Sequence, residues 1–82
     1  MRPGQLLEKA RKQVEDLAGV HPETVSGLVP DGDDGWVVSV EAVELPRVPN
    51  TMDLMATYEV TLSADGELRG FRRVGRYARA AV

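Results

Sequence analysis

The chain has 82 residues, no cysteine and one histidine, His21, which excludes disulfide staples, thiolate metal sites, thiol nucleophiles and any multi-histidine centre. Its 43% hydrophobic and 28% charged residues are ordinary for a globular domain, and the length leaves room for one domain, residues 1–82. No apolar run approaches the ~20 residues of a membrane span, and charges interrupt the N-terminal stretch where a signal peptide needs apolar residues. A cytoplasmic location is therefore expected.

Net charge is −3, but it is unevenly spread. Residues 20–67 carry ten acidic side chains against one base, Arg47. Residues 68–82 carry Arg69, Arg72, Arg73, Arg76 and Arg79 and no acid. Two readings of this C-terminal strip stay open. The arginines pair with Glu41, Glu44 and Glu59 on neighbouring strands, or they form a basic strip for an acidic partner.

The first predicted element is an amphipathic helix over residues 4–18. Pro3 suits a first-turn position, and Leu7, Ala10, Val14, Leu17 and Ala18 recur at helical spacing. Gly19 is placed to end the helix in the left-handed conformation. Beyond it the period drops to two. A short strand is predicted at 24–29, stopped by Pro30. A Gly- and Asp-rich turn, 31–35, leads into the strongest strand, 36–45. There Trp36, Val38, Val40 and Ala42 share one side, while Val37, Ser39, Glu41 and Val43 share the other. Pro46 and Pro49 bracket a loop before a third strand, 54–63, with Tyr58, Val60 and Leu62 on one face. The Ala-Asp-Gly-Glu stretch at 64–67 is a hairpin turn. The last strand is predicted at 68–77, with a bulge at Gly70 or Gly75 and a frayed tail at 78–82.

Short connections make the sheet an antiparallel meander. One apolar sheet face and one apolar helix stripe predict an α+β two-layer sandwich, the N-terminal helix packed on four antiparallel strands. The expected core is Leu7, Val14, Leu17, Trp36, Val38, Val40, Tyr58, Val60 and Leu62, with Trp36 near Val14 and Leu17.

No catalytic constellation emerges. His21 precedes Pro22 at the helix–strand junction and reads as a loop residue. Asp31, Asp33 and Asp34 lack EF-hand spacing, because Gly35 and Ala42 stand where oxygen ligands are needed. Gly66 and Gly70 form no phosphate loop. Arginines interleaved with aromatics at 71–77 resemble a single-stranded nucleic-acid surface. With four aromatics in all, two of them needed in the core, direct nucleic-acid binding is the weaker reading. Two stretches remain as partner-binding candidates. One is the loop carrying Arg47, Val48 and Met52, expected to be mobile alone and ordered by a partner. The other is the strip Arg69, Arg72, Arg73 and Arg76, where a bulge at Gly75 would bring Arg73 and Arg76 to one side.

Three segments carry a resemblance that covers residues 8–79: Glu41-Ala-Val-Glu-Leu-Pro-Arg-Val-Pro, the Tyr58-Glu-Val triplet, and Arg73 to Tyr77. Together they resemble the gas vesicle protein GvpO family. The resemblance implies an accessory protein of gas vesicle formation, non-enzymatic, with no cofactor, metal or small-molecule substrate. It implies other gas vesicle proteins, accessory or structural, as partners, and a cytoplasmic protein associated with gas vesicles rather than with a membrane. The alternative is a regulator of vesicle production that contacts nucleic acid or the translation machinery through the arginine strip.

Overall fold

A computed structural model of the chain describes residues 2–79. Helix α1 (Pro3–Ala18) leads to strands β1 (His21–Asp31), β2 (Gly35–Leu45), β3 (Leu54–Ser63) and β4 (Leu68–Ala78), with a 3-10 turn, Asn50–Met52, before β3. The strands form one antiparallel sheet in chain order, and α1 packs on β1, β2 and β3. This is the α+β helix-on-meander architecture expected.

Local chemistry sets the element ends. The Gln5 side chain accepts the Arg2 backbone N–H at 3.0 Å, opening α1. Gly19 closes it at φ 66°, in the left-handed region that glycine enters without cost. β1 is longer than the expected 24–29 and runs through both Pro22 and Pro30. It is an edge strand, where the missing proline donor costs least. Gly35 is required by close approach. A Cβ there would lie 2.9 Å from the Asp31 carbonyl oxygen and 3.1 Å from that of Leu62.

The register aligns the core. Trp36 faces Leu62, Val38 faces Val60, Val40 faces Tyr58 and Ala42 faces Ala56. Val14 of α1 and Val38, Val40, Tyr58, Val60 and Leu62 of the sheet are all buried, joined by Leu6 and Ala10.

Three of the expected core positions are corrected. The helix stripe centres on Leu6, Ala10 and Val14, at i, i+4, i+8, so Leu7 lies to one side and is only half-buried. Leu17 is 54% exposed. Glu8, Arg11, Lys12 and Glu15 face His21 and Pro22 of β1. At 3.6 residues per turn Leu17 falls within the Leu6–Ala10–Val14 stripe, but it stands in the last turn of α1 and is exposed there. Trp36 is half-buried at the core's rim. The short link at Gly19 ties the C-terminal end of α1 to the His21–Val43 end of the sheet. Trp36 lies seven residues up β2 from Val43, ~23 Å away, at the other end of the sheet from Leu17. In the predicted tail, Ala78 completes β4 and Arg79 is firmly bonded; residues 80–82 lie outside the described residues.

Candidate functional site

The sheet contains five extra residues, each opposite a gap in its partner strand: Glu23 and Ser26 in β1, Glu44 in β2, Arg69 and Val74 in β4. A bulge re-aims a side chain, and four of these five make polar contacts with other parts of the chain. Glu23 meets Arg79, Ser26 meets Glu41, Glu44 meets Arg73 and Arg76, and Arg69 meets Asp34.

The arginine strip is occupied from within the chain. Arg69 pairs bidentately with Asp34 at 3.2 and 3.3 Å. Arg72 reaches Glu59 at 2.8 Å. Arg73 and Arg76 share Glu44, at 3.4 and 2.7 Å. The bulge that puts those two on one side is at Val74, one residue before the expected Gly75. Glu44 also accepts the Tyr58 hydroxyl at 3.1 Å. Burial, reinforced by that carboxylate, pushes the Tyr58 phenol up. The strip does not form one surface. Arg73 and Arg76 lie beside Tyr58 on the helix side, whereas Arg72 points with Glu59 to the open side.

Glu41, expected to pair with an arginine, binds hydroxyls instead. It accepts Ser26 and Thr57 at 2.6 Å and Tyr77 at 2.7 Å. The donors come from β1, β3 and β4, so one carboxylate of β2 ties all four strands across the open face. Partial burial raises the Glu41 carboxyl, but the three donors outweigh it and hold the group below its ordinary value. Burial first, then the bond to Glu41, pushes Tyr77 up to about 12.

The loop between β2 and β3 is tied to the rest of the fold at Asp53. Asp53 is 5% exposed. It accepts the Arg47 backbone N–H at 2.8 Å and the Arg79 Nη2 at 2.9 Å. Arg79 Nε donates to the Asn50 carbonyl at 3.2 Å, and its outer nitrogens grip Glu23 at 2.7 Å each. The Arg47 N–H and then Arg79 hold the Asp53 carboxyl below its ordinary value; Arg79 does the same to Glu23. On this frame Val48 is 98% exposed and Met52 58%, with Leu45 46% exposed beside them. Arg47 is exposed and, among the described residues, its guanidinium makes no ion pair.

The roles of Asp53, Arg79 and Glu41 escaped the sequence reading. An aspartate immediately after a proline-bracketed loop signals a side chain folding back on that loop. Nothing local signals that Arg79 meets it, because the pair is 26 residues apart. Among the described residues, no group of three His, Cys, Asp or Glu could hold a metal ion, and no helix is long and apolar enough to cross a membrane.

Fold and site together define a small α+β helix-on-meander protein whose charged groups mostly engage one another and whose 46–53 loop exposes apolar side chains. The chain belongs to the family "Gas vesicle synthesis protein GvpO", matched over residues 1–82. It is 49% identical over 77 residues to Gas vesicle protein O of Streptomyces sp. (strain CB03234), covering 94% of this chain and 59% of that protein. It is 35% identical over 71 residues to Gas vesicle protein O of Haloferax mediterranei, covering 87% and 51%. It is 34% identical over 73 residues to Gas vesicle protein O1 of Halobacterium salinarum, covering 87% and 59%. The chain thus spans 51–59% of the length of these relatives. No solved structure matches it.

Proposed function

We propose that this chain is a non-enzymatic protein-binding module that takes part in forming gas vesicles by associating with other gas vesicle proteins, accessory or structural. The family and the names of its relatives supply the context. The observation that carries the binding role is the 46–53 loop. Its backbone is fixed by Asp53 and Arg79, and it presents Val48, Met52 and the unpaired Arg47 outward. Apolar and arginine side chains on a preformed support are what a protein interface needs, because little ordering entropy is lost on binding. The module works in the cytoplasm, where its partners assemble.

Regulation through nucleic acid has less support. Arg69, Arg72, Arg73 and Arg76 each already engage a carboxylate, so a phosphate backbone would have to displace those pairs. The test uses the chain as bait in lysate of vesicle-producing cells. Recovery of other gas vesicle proteins is expected. Recovery of nucleic acid or ribosomal proteins, with affinity falling steeply in salt, would overturn the proposal.

A further inference from the structure

On its helix side the sheet is only partly covered. Four strands ~4.8 Å apart present a face roughly 19 Å wide, and a helix is about 10 Å across. α1 packs chiefly on β1, β2 and β3, and the exposed Leu68, Arg73 and Arg76 mark the helix-side column of β4 as an open shelf. Along it run Leu68, Phe71, Arg73 and Arg76, opposite Leu62, Val60, Tyr58 and Ala56. Leu68 is 40% exposed, and Phe71 is half-buried with its ring stacked on Tyr58 at 5.4 Å.

The shelf also has a charged end. Arg73 and Arg76 share the single carboxylate of Glu44, so one guanidinium charge there is in excess. From Leu68 to Arg76, less the two bulge residues, the shelf runs ~20 Å, the length of about 13 helical residues.

We infer that this shelf docks an amphipathic helix of a partner protein, lying alongside α1. Its apolar side covers Leu68 and Phe71, and a carboxylate on it meets Arg73 and Arg76. Excess positive charge selects an acidic helix over a basic one, and the apolar floor of Leu68 and Phe71 supplies the anchor, the usual division of labour for a docked helix. The inference rests on the protein-binding reading and adds a second surface, on the opposite flank from the pocket of His21 and Pro22.

The test places a photo-crosslinking benzoylphenylalanine at position 68, and separately at position 48, in the full chain expressed in vesicle-producing cells. Cross-linked peptides are then sequenced. Position 68 should capture one amphipathic, carboxylate-bearing helical segment of a gas vesicle protein. The double substitution Arg73→Gln and Arg76→Gln should cut that yield about tenfold or more, with circular dichroism unchanged. Cross-links from position 48 alone would overturn this inference and leave the loop reading standing. No cross-link from either position would overturn both. Capture at position 68 of nucleic acid, of a second copy, or of a segment without carboxylates would also overturn the shelf.

Discussion

The Glu41 carboxylate offers the sharpest perturbation, because its three donors sit on three different strands. Glu41→Gln keeps the shape and removes the charge. A hydrogen bond to a charged group contributes about 1.5–3 kcal/mol and a neutral one about 0.5–1.5, so each donor loses about 1 kcal/mol. Three donors give a ceiling of about 3 kcal/mol; Glu41 is only partly buried, and solvent screening reduces this to about 1–2 kcal/mol. In a domain this small each kcal/mol lowers Tm by about 4–8 °C. Urea unfolding followed by Trp36 fluorescence measures the loss. A second readout is specific to the geometry. Tyr77 is pushed up to about 12 by burial and by Glu41, so the substitution should move its tyrosinate absorbance titration back toward the ordinary 10.0. An unchanged unfolding midpoint together with an unchanged Tyr77 titration would refute the hub.

Asp53→Asn should weaken the hold of Arg79 and speed hydrogen exchange at the Arg47 amide, which is bonded to Asp53 Oδ1, while core amides keep their protection. Glu23, Glu41 and Asp53 are all held below their ordinary values, so their contribution is complete above about pH 5 and is lost as pH falls through the folded values. Melting temperatures measured from neutral to acid pH should decline there, and less steeply in Glu41→Gln. Gly35→Ala should cost about 1–3 kcal/mol, read by denaturant unfolding, because backbone oxygens of Asp31 and Leu62 occupy the space its methyl needs.

The phase of the two central strands was legible because each buries one face, and strict alternation then fixes every side chain. Val38, Val40, Tyr58, Val60 and Leu62 follow from that rule alone. The edge strands were less legible. Pro22 and Pro30 read as terminators of β1, yet an edge tolerates them. The helix stripe was displaced by one residue, from Leu6 to Leu7, because adjacent leucines satisfy the same spacing. Leu17 fits the stripe by period, but what it faces depends on which strands the helix covers. The polar contacts were the least legible. Glu23, Ser26, Glu44 and Arg69 act from bulges, and a bulge is a mismatch between two strands, invisible in either strand's own sequence. Hence pairing of the arginine strip with Glu44 and Glu59 could be read as one of two alternatives, but not that Arg69 goes to Asp34 or that Glu41 takes hydroxyls instead.

Protein binding through the 46–53 loop is tested most directly by measuring the affinity of Val48→Asp with Met52→Asp for a gas vesicle protein recovered by the wild-type chain. Both side chains are exposed, so the double variant should melt at the wild-type temperature. Its affinity should fall about tenfold or more, a loss of at least ~1.4 kcal/mol. Wild-type affinity at an unchanged melting temperature would contradict binding through this loop.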